Sequence, residues 1–438
     1  MNPWFGILLV LLALSLLMLS CQFICKHFEL NSELARKSIH MGMGIICACF
    51  PLLFTEFWPV LTLCILAIVG LSAIRIVPQL RQSIGSSLHG VKRFSLGELY
   101  FPLAVAIVWF ISLNEPVFYC IAVLVLALAD AVAALIGVKY GKIKYSTKDG
   151  HKSWEGSFSF FFVAFFCIYI PLTLYTNIGR SECLLIAALI AILVMIIEAS
   201  SWSGLDNMLI PISVCILLNV YQSYSPAQML GRLGIISLFS LLFYSFRKRS
   251  TLDDSSLLGA SLFLYLAYVI GDWQWTLAPL MLFAVYLFLG PYKITKEEKV
   301  HNIHSLLSVI GPGLIWLILF YRYKDASFLI YYNCSFALEL CLIFIAQWAW
   351  QHPQRKMIHI VITGNTLVSL LMILPFIFFN ELFTLKVILV SISMTILGSL
   401  AFTLTQKEIR NCPLTTIRWI RQGLIGFIIS LIPWKLGL

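Results

Sequence analysis

Asp130 lies in the run IAVLVLALADAVAALIGV, an ionisable side chain among apolar ones. A carboxylate inside a bilayer costs about 2.5–3.5 kcal/mol on insertion scales, so such a residue is a functional candidate by default. On a helix Asp130, Ala133, Ala134 and Gly137 share one face, and small residues there admit a close neighbour. Gly141 comes four positions later. Next comes VKYGKIKYSTKDGHKSWEGS, ending at Ser157, with five lysines, two acids and three glycines. Lysine cations and glycine-rich backbone suit phosphate groups. The alternative is a solvated loop, and Lys152-Ser153-Trp154-Glu155-Gly156-Ser157 directly abutting the next apolar run argues against it. It is not a Walker A loop, which needs G-x-x-x-x-G-K-[ST] after a strand.

Three further clusters add to this inventory. Glu198 through Pro211, EASSWSGLDNMLIP, places Glu198 at the end of one apolar run and Asp206-Asn207 at the start of another. Carboxylates and an amide are oxygen ligands of the kind Mg²⁺ takes, against the alternative of helix capping by Asp206. Arg36, Lys37 and His40 open a run in which Arg36, His40 and Gly44 share a face. Gly97-Glu98-Leu99-Tyr100-Phe101-Pro102 opens another. Together they suit Mg²⁺-nucleotide phosphate chemistry on a membrane-dissolved alcohol, because phosphoryl transfer is mostly positioning and charge neutralisation.

The elements that must position these residues can be read from composition. The chain has 438 residues, 60% hydrophobic and only 11% charged, and its mean hydropathy is +0.93. This excludes a soluble globular domain, a disordered chain and a disulfide-stapled secreted module. The sequence predicts an all-α, polytopic integral membrane protein. Sixteen apolar runs are near 4–25, 39–55, 57–76, 99–113, 116–138, 157–176, 183–199, 207–221, 229–246, 256–271, 273–290, 305–321, 327–350, 357–378, 383–404 and 418–434. No basic residue precedes the first run, which reads as a retained helix rather than a cleaved signal. The twelve cysteines are scattered through apolar stretches as small hydrophobes.

The net charge of +10 is topological rather than a sign of nucleic-acid binding. With both termini outside and strict alternation, 24 of the 30 Lys and Arg fall in inside connections. That bias favours a cytoplasmic location for all five clusters. Two transmembrane domains are expected, 1–225 with most of the unusual polar residues and 226–438 with fewer.

The order R-K-x-x-H, G-E-x-Y-F-P, A-D-A-x-A-A-x-x-G-x-x-x-G, K-S-W-E-G-S and E…G-L-D-N…P resembles the phytol/farnesol kinase family, CTP-dependent polyprenol kinases related to dolichol kinase. The resemblance covers residues 30–220. It implies a helical membrane enzyme that phosphorylates an isoprenoid alcohol such as phytol, farnesol or geranylgeraniol, with CTP or another nucleotide as co-substrate and Mg²⁺. Asp130, Lys152, Ser153, Glu155, Gly156, Glu198, Asp206 and Asn207 match the motif core, and Arg36, Lys37 and His40 its N-terminal motif. Implied roles are catalysis by Asp130, Lys152, Glu155 and His40. Phosphate binding would fall to Arg36, Lys37, Gly137, Gly141, Ser153, Gly156 and Ser157, and metal holding to Asp130 with Glu198, Asp206 or Asn207. The chain lacks the K-R-x-x-x-x-K-D and H-G-G-x-x-D-R-x-D patterns of a CDP-diacylglycerol synthase. A transporter would show internal repeats and midplane charge, and a scaffold would not need these acids and bases together.

The second half is similar to a phytyl-phosphate kinase-like membrane family from Phe246 to Gly290, with Lys299–Asn302, Gly364-Asn365-Thr366 and Gly398-Ser399…Gln406 coming after it in order. Ile345–Trp350 and Phe402 stand where that family carries polar and acidic residues. A degenerate, non-catalytic partner domain is the expectation, against an unrelated accessory bundle. His301 and His304 are a weak metal pair, and Trp273, Trp275, Trp348 and Trp350 read as interface-belt aromatics.

Overall fold

In lipid every backbone N–H and C=O must find a partner within the chain, and an apolar segment does this by coiling into a helix. Each of the sixteen apolar runs overlaps a helix in the computed structural model, which describes residues 2–28, 32–77, 96–289, 301–351, 358–405 and 415–436, but the run near 39–55 is divided between a helix over Ser32–Ala48 and a four-residue helix, Phe50–Leu53. Among the described residues ten helices are long and apolar enough to cross a membrane, and four are shorter apolar helices. The protein is thus an all-α membrane protein. The basic residues Arg81, Lys92, Arg93, Lys293, Lys296, Lys299, Arg355, Lys356, Lys407 and Arg410, used above to orient the chain, lie outside the described residues, as does Gln406.

The chain divides into two compact units, Met1–Ile235 and Ile236–Leu438. The first contains α1 (Pro3–Phe28), α2 (Ser32–Ala48), α3 (Phe57–Ile76), α4 (Gly97–Ile111), α5 (Pro116–Tyr140), α6 (Trp154–Tyr175), α7 (Arg180–Ser200) and α8 (Asp206–Tyr221). Helix α9 (Pro226–Ser245) spans the division. Within this unit α5 packs against α2, α6 and α8, and α4 against α3 and α8. One departure from the all-helical expectation is a small antiparallel hairpin, β1 (Lys144–Thr147) with β2 (Gly150–Ser153), built from the lysine-rich segment.

Two local features bring α2 onto α5. Residues Val125–Ala129 form a π-turn immediately before Asp130. Such a turn inserts one residue into the helix, re-aims the side chains beyond it, and is frequent at functional sites. Gly44 faces this turn, where an added Cβ would collide with the Ala127 side chain. The glycine is therefore a close-approach position rather than a flexible one.

The second unit contains α10 (Asp254–Gly271), α11 (Trp273–Leu289), α12 (Ile303–Tyr323), α13 (Phe328–Gln351), α14 (Ile358–Ile377), α15 (Leu385–Thr405) and α16 (Thr416–Lys435). Helix α13 is its centre, with 89% of Phe328–Ala349 buried by protein, and it packs against α11, α12, α14, α15 and α16. Some polar groups inside this bundle pair with one another. Gln422 donates to Glu339 at 2.8 Å, Trp316 to Ser430 at 2.8 Å, and Asn365 to the Thr395 carbonyl at 3.3 Å. Trp275 is corrected from an interface residue to a core one, only 3% exposed, with its carbonyl accepting from the Tyr332 hydroxyl. Trp273 is exposed, and the Trp350 side chain lies outside the described ones. His301 Nδ1 hydrogen-bonds the Thr251 hydroxyl at 2.8 Å, and no group of three metal-binding side chains occurs among the described residues.

Gly44→Leu should overpack the α2–α5 contact and cost about 1–3 kcal/mol. Thermal unfolding of the detergent-solubilised protein checks this, with Gly70→Leu, at a position open to its surroundings, expected to unfold like the wild type.

Candidate functional site

The first unit encloses a cavity of about 570 Å³, with one wall apolar and the other charged. Val10, Met18, Met43, Phe50, Leu63 and Val105 contribute to the apolar wall. Arg36, Lys37, His40, Glu98, Asp130, Asp149, Lys152, Asp206 and Asn207 bring separate sequence clusters together on the other.

Helical spacing accounts for the α2 contribution. Arg36, His40, Met43 and Cys47 recur along one face and all line the cavity, so the charged and apolar walls meet at His40. Lys37 Nζ stands 2.6 Å from Asp130 Oδ2, with both side chains about one-tenth exposed. His40 Nε2 lies 3.6 Å from the same oxygen, is buried, and has no hydrogen-bond partner among the described residues. The Phe101 ring meets the imidazole edge-on at 5.3 Å.

The second charge pair comes from the hairpin. Strand alternation sets Lys152 opposite Tyr145, which is buried. Lys152 Nζ reaches the last turn of α7, donating to Glu198 Oε1 at 2.8 Å and to the Glu198 carbonyl. Burial alone would lower the Lys152 pKa, but the Glu198 and Asp206 carboxylates outweigh it and hold the ammonium above the ordinary lysine value.

Asp206 completes the arrangement. It opens α8 without capping it, because the N-cap position is Leu205 and carries no side-chain bond. Among the described residues its carboxylate has no hydrogen bond or ion pair, while the charges of Asp130, Lys152, Lys37 and Glu198 all act on it. Its position is fixed by the turn before it, where Ser203 and Gly204 take positive φ of 53° and 85°. The Ser203 amide donates to Asp149 Oδ2 at 2.7 Å, and the Ser203 carbonyl accepts from the Leu96 amide at 3.1 Å. Asn207 Nδ2 donates to the Gly97 carbonyl at 2.9 Å.

Other candidates are placed elsewhere. Gly137, Gly141, Ser153, Glu155, Gly156, Ser157 and the expected metal ligand Glu198 are absent from the cavity lining, Glu198 being paired with Lys152. Ser153 is the N-cap of α6, its Oγ accepting the Gly156 amide at 3.1 Å. Glu155 accepts the Lys142 and Ile143 amides at 3.0 and 3.1 Å, tying the end of α5 to the start of α6. Ser157 Oγ bonds the Tyr145 hydroxyl at 2.8 Å. An added Cβ on Gly156 would meet the Ala133 carbonyl at 3.0 Å, and one on Gly137 the Ser153 hydroxyl at 3.1 Å, so these glycines form the α5–α6 seam. In K-S-W-E-G-S only Lys152 reaches the cavity, and the remaining residues form the joint that aims it. Sequence reasoning missed Asp149, whose signal was the Asp149-Gly150 pair of a hairpin turn.

Fold and site define a helical membrane protein with a cavity that joins an apolar wall to a cluster of paired and unpaired charges. The N-terminal half resembles the phytol/polyprenol kinase family, as its motifs indicated. It is similar to the phytol kinase of Synechocystis sp., 29% identical over 217 residues, which are 49% of this chain and 90% of that protein. No family model matches the chain, and neither does any solved structure.

Removing one member of a buried pair strands the other charge, at about 3–5 kcal/mol. Lys37→Met should therefore lower the unfolding temperature markedly, and the double variant Lys37→Met/Asp130→Leu should recover much of the loss. Because the Lys152 pKa is raised, its pairing contributes fully below the ordinary lysine range and is lost only as pH rises through the higher folded value. Unfolding temperatures should accordingly show no loss from this pair up to about pH 9, below the usual lysine pKa.

Proposed function

We propose that the first unit is a kinase that transfers the γ-phosphate of CTP, or another nucleoside triphosphate, to an isoprenoid alcohol such as phytol, farnesol or geranylgeraniol. The observation that carries this reading is the single cavity with two kinds of wall. An isoprenoid chain needs the apolar side, a polyphosphate needs Arg36, Lys37 and Lys152, and the alcohol oxygen belongs where the walls meet, at His40. The likeness to a phytol kinase supports the same acceptor class.

The chemistry rests on the side chains. His40 Nε2 is buried, lacks a hydrogen-bond partner among the described residues, and lies beside Asp130, so it accepts the alcohol proton. The alcohol oxygen forms a bond to the γ-phosphorus, the bond to the β–γ bridging oxygen breaks, and a nucleoside diphosphate leaves. Lysine and arginine cations neutralise charge on the transferred group, and exclusion of water strengthens their effect. Mg²⁺ fits the donor set, because Asp206 presents a carboxylate with no hydrogen bond or ion pair among the described residues, and Asp130 shares the cavity. Mg²⁺ commonly uses one or two carboxylates plus phosphate oxygens. When bound it would neutralise and align the polyphosphate.

The basic bias of the connecting segments supports a cytoplasmic site. The sixteen helices serve in this reading as sixteen crossings, with both termini outside.

Membranes carrying the protein should transfer label from γ-labelled CTP to phytol, farnesol or geranylgeraniol in preference to dolichol or diacylglycerol. Asp130→Asn should lower the rate by at least about a hundredfold, the scale of lost acid–base or electrostatic assistance, while the protein still inserts. Full activity of Asp130→Asn would refute its assigned role.

A further inference from the structure

The second unit encloses its own cavity, of about 420 Å³, within the range of small-molecule sites. Its wall is apolar through most of its extent, including Phe263, Leu264, Leu282, Phe283, Ile310 and Phe336. The polar groups gather where helices begin or end. Thr251 precedes α10, Tyr286 lies in the last turn of α11, His301 precedes α12, and Arg418 lies in the first turn of α16.

These groups are linked. The Thr251 hydroxyl bonds the Tyr286 hydroxyl and, at 2.8 Å, His301 Nδ1. The His301 ring meets Trp419 at 5.5 Å, and the Arg418 guanidinium lies 4.5 Å over that indole. Arg418 is only 5% exposed, and no carboxylate lines the cavity among the described residues. Burial, then the Arg418 charge, hold the His301 pKa down at about 4, so the ring is neutral near pH 7 and remains a hydrogen-bonding group. One turn deeper, Gln422 donates through Nε2 to Glu339 at 2.8 Å.

We infer that this cavity is a holding site for a single-chain lipid with an anionic head, its chain among the phenylalanines and leucines and its carboxylate or phosphate against Arg418 and His301. The donor set favours retention over reaction. A cation and a neutral imidazole can hold an anion, but among the described residues the lining supplies no carboxylate for Mg²⁺. Arg247, Lys248 and Arg249, just after α9, add positive charge before Thr251 and would draw anionic lipids to this rim.

The test uses the full chain in lipid nanodiscs and three photoreactive probes of one chain length: a fatty acid, the corresponding alcohol and the alkyl phosphate. Mass spectrometry of crosslinked peptides separates this cavity from that of the first unit. The acid, the phosphate or both should label peptides around residues 251–310 and 418–422 about tenfold more than the alcohol, a difference equivalent to one decade in affinity. Which anion labels identifies the head. Arg418→Gln should bring all probes to parity, Arg418→Lys should retain part of the preference, and Ala260→Trp should block labelling by filling the cavity. Unfolding temperatures of the variants separate a lost site from a lost fold. Equal labelling by the alcohol in the wild type, labelling that survives Ala260→Trp in a folded protein, or no labelling would overturn the proposal. Activity of the first unit does not enter this readout.

Discussion

A lysine and an aspartate in contact within a helical bundle set the terms for the first unit. Neither Lys37 nor Asp130 is tolerable alone in an apolar interior, so each requires the other and the pair ties α2 to α5. The surrounding features serve that contact. The π-turn at Val125–Ala129 directs Asp130 across the interface, and Gly44 lets the backbones come close enough for the two side chains to meet. A hydrophobic pair would hold the helices with less electrostatic cost. The charged pair adds a fixed carboxylate beside a buried imidazole, and its desolvation cost is intelligible as part of a site rather than as stabilisation.

The second pair, Lys152 with Glu198, obeys the same rule. Its positioning is distributed over short-range devices, each of modest strength. Ser153 caps α6, Glu155 collects two backbone amides, and Gly137 and Gly156 let α5 and α6 touch. The consequence is a division of labour within one hexapeptide. A single side chain faces the cavity, and the others determine where it points. Asp149 extends the arrangement by holding the α7–α8 turn, so the hairpin and Asp206 are located relative to each other by one hydrogen bond to the Ser203 amide.

The helices were legible in the sequence because lipid leaves an apolar segment little choice of backbone, and each run overlaps a helix, the one near 39–55 being broken after Ala48. The convergence of Arg36, Lys37, His40, Asp130, Lys152 and Asp206 was legible for a related reason, since an ionisable residue at a membrane rim needs a partner or a task. Roles within the motif were less so. A glycine read as a phosphate cradle and a glycine read as a helix seam have the same spacing, and only the neighbour across the interface distinguishes them. Glu155 illustrates this: its acidity suggested catalysis, whereas its oxygens meet the Lys142 and Ile143 amides. The hairpin was hidden because four-residue strands carry too little alternation to register. Trp275 was misplaced because an aromatic at a helix end can sit at the interface or under its neighbours, and Tyr332 and Phe320 cover it.

The two cavities differ most in the signs of the charges that line them, and that difference bears on what each can do. Transfer of a phosphoryl group requires a base, cations for the moving charge and oxygen ligands for a metal, all within one enclosure. The first cavity holds an imidazole, cations and carboxylates, and the charges of Lys37, Lys152, Asp130 and Glu198 act on Asp206, whose carboxylate has no hydrogen bond or ion pair among the described residues. In the second, the lining that includes Arg418 and His301 has no carboxylate among the described residues, while Glu339 is occupied with Gln422. A cation without acids beside it retains an anion and gives it no route to react. The polar end of that cavity therefore matches a binding task, and a gain of catalysis there would require acids at wall positions now held by apolar side chains.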